Sequence, residues 1–309
     1  MAWYYTDRNL GDDIAHLAAF PKCYLDDIIV HKSMTLFEWI EQACQLGVDG
    51  LEMHNLFFGG KEDAYLEQVK RKCEENSLAL PMMCFSPDFT QPELERRKEE
   101  LDKQKKAIDL TVKLGSRFCR TLSGQARPGL DRKKAVGWCV EMIREAVAYA
   151  SERGIILNIE NHYKDGYWDY PEFAMQSNVF LEIIGQIDSP FFGVNYDPSN
   201  TLVAGEDPLE LLEKIKARVV TMHASDRHLE GGSLADLRRL EQDPVHGYAR
   251  TIRHGVIGQG LNDYDAIFRT LKGAGFDGWI SIEDGMNGMV ELQQSAEFLR
   301  VKIKQYFGN

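Results

Sequence analysis

The sequence predicts an α/β protein in which residues 1–309 form one domain, a single (β/α)8 TIM barrel. Short apolar runs rich in β-branched residues alternate with longer amphipathic stretches, a pattern typical of parallel strands joined by helical crossovers. Eight such units in 309 residues favour a closed barrel over an open sheet. No glycine-rich phosphate-binding loop follows the first strand, which disfavours a dinucleotide-binding fold.

The predicted strands are the short apolar runs, each of which precedes a helix-sized segment. They are Leu17–Cys23, Gly50–Met53, Ala79–Cys84, Arg117–Thr121, Ile155–Glu160, Phe192–Asn195, Val219–His223 and Trp279–Glu283. Their length and their spacing along the chain predict one parallel sheet.

The predicted helices are segments whose apolar residues recur three or four positions apart. They are Met34–Leu46, Pro92–Leu114, Lys134–Arg153 and Pro171–Ile187. Glycine closes several helical segments just before the next strand, at Gly47, Gly115, Gly154 and Gly275. A glycine in this place is typical of a helix C-cap.

One interval lacks a helix-sized amphipathic unit. It follows the seventh predicted strand, and residues 224–261 contain three histidines and several arginines. A long excursion at the end of a barrel strand is typical of an active-site loop. We therefore expect these residues to form a lid or a wall over the C-terminal mouth of the barrel.

Composition and charge disfavour several classes of protein. A net charge of −12 repels phosphate backbones and disfavours nucleic-acid binding. We expect no membrane span, because no run approaches about 18 apolar residues, and no secretory signal in the opening residues. None of the six cysteines forms a Cys-x-x-Cys pair, which indicates reduced thiols in a cytoplasmic protein.

Four predicted strand ends carry side chains that bind divalent metal ions. Glu160, His223 and Glu283 end the fifth, seventh and eighth strands, and Asp197 follows the sixth. The carboxyl ends of neighbouring barrel strands converge on one point, so the four side chains predict a metal site. A carboxylate-rich set favours Mn²⁺ or Mg²⁺, with Co²⁺ and Zn²⁺ as alternatives.

Further candidates lie close to the same strand ends. His162 follows Glu160 by two residues. It is a candidate hydrogen-bond donor to the substrate or a second acid or base, the alternative being an ordinary loop histidine. Arg227 is a candidate for binding an oxygen-rich or anionic group, the alternative being a surface salt bridge. Asn200 is also placed to orient Asp197. The candidate substrate-binding residues are Glu52, His54, Trp168, Asn200, Asp226, Arg227 and His228.

Five motifs together resemble the sugar phosphate isomerase/epimerase superfamily, the xylose-isomerase-like barrels. They are Ile-Glu-Asn-His (159–162), Asn-Tyr-Asp-Pro-Ser-Asn (195–200), Met-His-Ala-Ser-Asp (222–226), Ile-Gly-Gln-Gly (257–260) and Gly-Trp-Ile-Ser-Ile-Glu-Asp (278–284). The resemblance implies that Glu160, Asp197, His223 and Glu283 bind a divalent metal ion, foremost Mn²⁺. It also matches Glu160 and Glu283 to the proton-transfer pair of ketose 3-epimerases. The segment between His223 and Glu283 is longer than in those epimerases.

The resemblance implies a metal-dependent sugar isomerase or epimerase that abstracts a proton next to a carbonyl and stabilises the enediolate. The alternative is a β-eliminating lyase on 3-keto-glycosides, or a dehydratase or hydratase. Enzymes that cleave C-glycosides have a similar catalytic subunit, with a functional histidine two residues after the metal-binding glutamate. Endonuclease IV-like nucleases and non-catalytic sugar-binding barrels are remoter alternatives. The expected partners are a small sugar or keto-glycoside and further copies of the chain, or a small second subunit.

Overall fold

A computed structural model of the protein describes residues 15–237, 248–283 and 287–308. Its strands in these ranges are β1 His16–Ala19, β2 Gly50–Leu51, β3 Met53–His54, β4 Met82–Cys84, β5 Phe118–Thr121, β6 Ile156–Glu160, β7 Phe192–Tyr196, β8 Val219–Ala224, β9 Arg227–Leu229, β10 Ile252–His254 and β11 Trp279–Ile282.

All strands except β9 and β10 form one parallel sheet, which closes on itself through β2 and β3. These two short strands are separated by Glu52 alone and make up one barrel strand. β2 pairs with β1, Ala18 opposite Gly50, whereas β3 pairs with β4, Met53 opposite Met83. β11 pairs with both β1 and β8. The predicted (β/α)8 barrel is therefore confirmed.

Helices pack around the barrel and bury their apolar faces against it. For example, Ile267, Phe268 and Leu271 are buried on one side of α9. The helices described are α1 Leu36–Ala43, α2 Asp63–Glu75, α3 Leu94–Leu114, α4 Arg132–Ser151, α5 Ser177–Ile184, α6 Pro198–Val203, α7 Pro208–Ile215, α8 Leu234–Leu237, α9 Tyr264–Gly273 and α10 Met289–Tyr306. No helix in the described ranges is long and apolar enough to cross a membrane.

Local hydrogen bonds explain where the observed elements differ from the predicted ones. α1 begins at Leu36 because Thr35 and Glu38 form a capping box. α5 begins at Ser177 rather than Pro171, since residues 171–173 hydrogen-bond to the loop after β5 through backbone groups and Glu172. At the end of α3, Gly115 has a φ of 74°, the left-handed conformation predicted for a C-cap glycine.

Among the described residues between β8 and α9, 225–237 and 248–263, there is no long helix. β9 and β10 instead form an antiparallel ribbon, in which His228 pairs with Arg253, and α8 spans only Leu234–Leu237. Part of the predicted 224–261 loop, residues 238–247, lies outside the described residues. Its role as a lid or wall stays a prediction.

Candidate metal centre and active site

Glu160, Asp197, His223 and Glu283 meet at the carboxyl ends of four adjacent barrel strands, β6, β7, β8 and β11. One ligand atom from each side chain lies within 4.8 Å of all the others. His223 Nδ1 is 3.3 Å from Glu160 Oε1 and 3.6 Å from Glu283 Oε2. All four residues are buried. The side chains predicted to bind a metal ion therefore form one buried group.

The atoms of this group have the unmet bonding capacity expected of metal ligands. Asp197 Oδ2 and His223 Nδ1 are buried and have no hydrogen-bond partner among the described residues. Leaving buried polar atoms without a partner is costly. Three carboxylates and an imidazole are a donor set that suits a divalent cation. The group therefore fits a bound divalent metal ion.

Burial and mutual charge shift the pKa values within the group. Burial, together with the nearby Glu283 and Glu160, raises the pKa of Asp197 well above its usual range. Burial also opposes ionisation of Glu160, but His223 and Arg120 outweigh it and hold the pKa of Glu160 well below that of an ordinary glutamate. The clustered negative charge attracts a cation.

Asn200 and Ser225 hold two of the carboxylates in place. The side-chain Nδ2 of Asn200 donates to Glu160 Oε1 at 3.0 Å. The backbone N–H of Asn200 donates to Asp197 Oδ1 at 3.0 Å. Ser225 Oγ donates to the same Asp197 oxygen at 2.6 Å. These bonds support the predicted orienting role of Asn200, whereas its contact with substrate stays a prediction.

Glu52 and His54 lie at the same end of the barrel but in different surroundings. Glu52 is fully buried, and its Oε1 is 2.7 Å from His223 Nε2. Glu52 thus lies behind His223, and its place on the substrate wall stays a prediction. His54 packs against Phe20 and Phe57, at centroid distances of 6.3 and 6.0 Å. Burial lowers the pKa of His54 to about 4, so the ring is neutral near pH 7.

His162 follows Glu160 and is buried. Its ring stacks on Tyr163 at 5.1 Å between centroids, and its Nδ1 has no hydrogen-bond partner among the described residues. Burial lowers the pKa of His162. His162 therefore presents a neutral imidazole, the form that can accept a proton. Trp168 lies half-buried in the turn that begins at Asp165, and its stacking on a sugar ring stays a prediction.

Asp226, three residues after His223, hydrogen-bonds to backbone amides through both of its carboxylate oxygens. Asp226 Oδ2 accepts from the amides of Gly258 and Gly260 at 2.9 and 3.0 Å. Its Oδ1 accepts from the amides of Arg227 and Asn262 at 3.0 and 3.1 Å. Both oxygens bind the backbone and so anchor the 258–262 segment, whereas the substrate contact of Asp226 stays a prediction.

Arg227 is almost completely buried, with 1% of its surface exposed. Its guanidinium lies 5.4 Å from the Tyr163 ring centroid and 4.9 Å from that of Tyr248. The alternative of a surface salt bridge is therefore wrong. His228 is exposed on the β9–β10 ribbon, and substrate binding by either residue stays a prediction.

Two cations beside the metal group were not among the predicted site residues. Arg120 NH1 donates to Glu160 Oε2 at 2.7 Å, and its NH2 donates to Ser86 Oγ at 2.9 Å. Lys22 Nζ lies 3.3 Å from Glu283 Oε2. Arg120 is a charged residue inside the predicted strand Arg117–Thr121. This position could have identified it as a candidate site residue. Lys22 begins the short 3-10 helix Lys22–Tyr24, whereas the first predicted strand extended to Cys23.

Two curated relatives are named as enzymes, a decarboxylase and a dehydratase. The 3-oxo-isoapionate decarboxylase of Pectobacterium atrosepticum is 28% identical over 184 residues, which is 59% of this chain and 57% of the relative. The alignment thus spans little more than half of the decarboxylase. The inosose dehydratase of Bacillus thuringiensis is 22% identical over 262 residues, covering 81% of this chain and 82% of the relative.

Two solved structures share the fold over nearly the whole chain. A D-tagatose 3-epimerase-like protein superposes with a TM-score of 0.73 at 18% identity, covering 94% of this chain and 98% of the other. The IOLI protein with a bound zinc atom gives a TM-score of 0.73 at 14% identity, covering 95% and 100%. Both likenesses are below 25% identity and show that the fold is shared.

The family model described as Xylose isomerase-like TIM barrel matches residues 40–302. This range contains every strand of the sheet except β1 and all four members of the metal group. The barrel, its ligand group and this match agree, and the chain belongs to the Xylose isomerase-like TIM barrel family.

Proposed function

We propose that this protein is a divalent-metal-dependent sugar isomerase or epimerase that removes a proton next to a carbonyl group. One observation carries the proposal: three carboxylates and one imidazole lie within 4.8 Å of one another at the carboxyl ends of four adjacent strands. Active sites of (β/α)8 barrels lie at this end. The D-tagatose 3-epimerase-like structure supports the same class of reaction.

In this proposal Glu160, Asp197, His223 and Glu283 hold the metal ion, with Mn²⁺ foremost and Mg²⁺, Co²⁺ or Zn²⁺ as alternatives. A bound divalent ion supplies Lewis-acid polarisation of the substrate carbonyl. Arg120 and Asn200 fix Glu160 through hydrogen bonds to its two oxygens. Fixed donors keep the ligand carboxylate in one orientation during turnover.

Glu283 and Glu160 are the proposed proton-transfer pair. Burial would raise the pKa of Glu283, but Lys22 and His223 lower it below the usual value, so Glu283 is ionised and able to accept a proton near pH 7. Glu160 lies on a different strand of the barrel. A proton taken by one glutamate and returned by the other from the opposite face inverts the carbon; return to the neighbouring carbon isomerises the sugar.

A second candidate function uses the same site for β-elimination on a keto-sugar, as in a 3-keto-glycoside lyase or a dehydratase. The α-proton leaves to a base, the C=C bond forms, and the C–O bond to the β-substituent breaks while the departing oxygen takes up a proton. His162, with its buried Nδ1 lacking a hydrogen-bond partner among the described residues, is placed near Glu160 to handle one proton. The names of the inosose dehydratase and 3-dehydroshikimate dehydratase relatives favour this candidate.

The test is solvent exchange with the Mn²⁺-loaded protein in D₂O. A panel of ketoses, 3-keto-glucosides and inosose is incubated with the protein and followed by NMR. Deuterium at one carbon beside the carbonyl, with a rearranged or inverted product, supports the isomerase or epimerase. Loss of a β-substituent supports the lyase. No exchange at any carbon, in a preparation containing one metal ion per chain, would contradict both.

The assembly and the cellular location of the protein are two further proposals. We propose a homo-oligomer in the cytoplasm, with a complex containing a small second subunit as the alternative. Mass photometry of the purified chain distinguishes them, since a lone chain has a mass of 35.2 kDa. A purely monomeric species would contradict the homo-oligomer.

A further inference from the structure

Glu52, Cys84 and His223 form a second buried group, directly behind the candidate metal centre. Glu52 Oε1 lies 2.7 Å from His223 Nε2 and 2.7 Å from Cys84 Sγ. All three side chains are fully buried. The imidazole thus directs Nδ1 toward Glu160 and Glu283 and Nε2 toward Glu52.

The position of Glu52 follows from the way the barrel closes. Glu52 is the single residue between β2 and β3, and its amide donates to Ala19 of β1. β3 pairs with β4 so that His54 lies opposite Cys84. Glu52 therefore reaches His223 of β8 across the inside of the barrel mouth, while Cys84 supports it from the neighbouring strand.

The spacing of these three side chains fits hydrogen bonds rather than a second metal ion. An ion bound at about 2.0–2.3 Å keeps tetrahedral donors roughly 3.3–3.8 Å apart. Glu52 Oε1 is 2.7 Å from the donor atoms on both sides, the length of a hydrogen bond. By contrast, His223 Nδ1 lies 3.3 Å from Glu160 Oε1 and 3.6 Å from Glu283 Oε2, which is the spacing of a shared ion.

We propose that Glu52 is a positioning residue that fixes which nitrogen of His223 binds the metal ion. A carboxylate acceptor at Nε2 favours the tautomer that carries its proton there, and leaves the Nδ1 lone pair directed at the metal group. Cys84 donates its S–H to the same oxygen and restrains the carboxylate. This inference rests on the metal-binding part of the proposed function.

The direct test is NMR of the full-length, zinc-loaded protein labelled with ¹⁵N-histidine. The His223→Gln variant identifies the His223 resonances by their absence. We expect His223 to carry a proton on Nε2 and to bind zinc through Nδ1. Binding through Nε2 would overturn the inference without affecting the presence of a metal site. A wild-type protein that binds no zinc would overturn both this inference and the proposed function.

The second test compares zinc affinity, measured by competition with a chelator. Glu52→Leu removes the acceptor and is expected to weaken zinc binding roughly 10- to 100-fold, while Glu52→Gln, which keeps an acceptor oxygen, should lose less. The matched control is Gln104→Leu, which removes another fully buried polar side chain, between α3 and β5. It should bind zinc like the wild type.

Three results would contradict the positioning role. The first is zinc affinity in Glu52→Leu within twofold of the wild type. The second is an equal loss in Glu52→Leu and Gln104→Leu, which would indicate general destabilisation. The third is two zinc ions per wild-type chain with one lost in Cys84→Ser, which would make the second group a metal site. Should Glu52→Leu fail to fold, Glu52→Gln and the wild-type NMR spectrum decide.

Discussion

Lys22 Nζ lies 3.3 Å from Glu283 Oε2, so the turn after β1 places a cation on a proposed metal ligand at the end of β11. The two strands are hydrogen-bonded neighbours in the sheet, and the contact joins the first and last strands of the barrel at its catalytic end. Lys22 is one of the groups that lower the pKa of Glu283. Its charge offsets part of the negative charge of the carboxylate group.

Replacing Lys22 by methionine is expected to raise the affinity for Mn²⁺ by roughly three- to tenfold, on the order of 1 kcal/mol, because a neighbouring positive charge opposes cation binding. Isothermal titration calorimetry of the metal-free protein measures this change. Lys304→Met, on the exposed side of α10, removes the same charge far from the strand ends and should leave affinity unchanged. Weaker binding in Lys22→Met would contradict the expectation.

Glu283→Gln is expected to keep the fold and to lose activity by about 10²–10⁴-fold, because an amide neither accepts a proton nor binds the ion as well. Steady-state rates on the substrate found by solvent exchange give the loss, and circular dichroism gives the fold. The metal content of each preparation must be matched. Near-normal turnover with metal bound would remove Glu283 from both proposed roles.

His162→Ala separates the two candidate functions. In a β-eliminating enzyme the imidazole handles a proton, and its loss is expected to slow elimination about 10²–10⁴-fold. In an epimerase that uses Glu160 and Glu283 for both transfers, the same change should only weaken binding and slow turnover modestly. Rates are compared on a ketose and on a 3-keto-glycoside. A small effect on elimination would count against His162 as its proton carrier.

Glu172 is expected to make stability fall as the pH rises. Glu172 is buried, accepts hydrogen bonds from Ser123, and burial raises its pKa from 4.5 to about 8. The folded chain therefore retains a proton that the unfolded chain has lost, so the stabilisation is full below pH 4.5 and disappears as the pH approaches about 8. The slope is about −1.4 kcal/mol per pH unit within this window.

Urea denaturation at pH 6, 7 and 8 measures this slope in the metal-free protein. The difference in unfolding free energy between the wild type and Glu172→Gln isolates the contribution of Glu172, because all other titrating groups are shared. Glu145→Gln, at an exposed position on α4, is the matched control and should follow the wild type. A difference that does not change with pH would show that Glu172 ionises normally in the folded chain.

Gly260→Ala is expected to destabilise the protein by about 1–3 kcal/mol, because a Cβ there overlaps its surroundings. It would lie 2.3 Å from Asp226 Oδ1 and 2.4 Å from the Arg227 carbonyl oxygen. Gly137→Ala is the control: it lies in α4 with open space around a Cβ and should stabilise by roughly 0.5–1 kcal/mol. Thermal unfolding measures the stability change in both variants. Equal changes would argue against close packing of Gly260 on Asp226.

The barrel and the metal group were predictable because each depends on a local pattern. A parallel strand buried on both faces is a short apolar run, and its end is marked by the first polar residue, as at Glu160 and His223. Barrel geometry then brings such ends together. The first strand was placed at Leu17–Cys23 but spans His16–Ala19, and this error concealed Lys22.

The roles of side chains that depend on tertiary contacts were not predictable from the sequence. Glu52 and Asp226 are acidic residues near strand ends, like the proposed ligands, and the sequence does not distinguish them from substrate-binding residues. Only the fold shows that Glu52 faces the far side of His223 and that Asp226 binds the backbone of a segment more than 30 residues away. Side-chain direction at a strand end depends on pairing across the barrel, which sequence spacing does not encode.

The most direct test of the metal centre is a crystal structure of the Mn²⁺-loaded protein with anomalous data at the manganese edge. We predict one anomalous peak at the carboxyl end of the barrel, about 2.0–2.3 Å from an oxygen of Glu160, Asp197 and Glu283 and from a nitrogen of His223. A peak bound by other side chains, or none under conditions that support solvent exchange, would contradict the account.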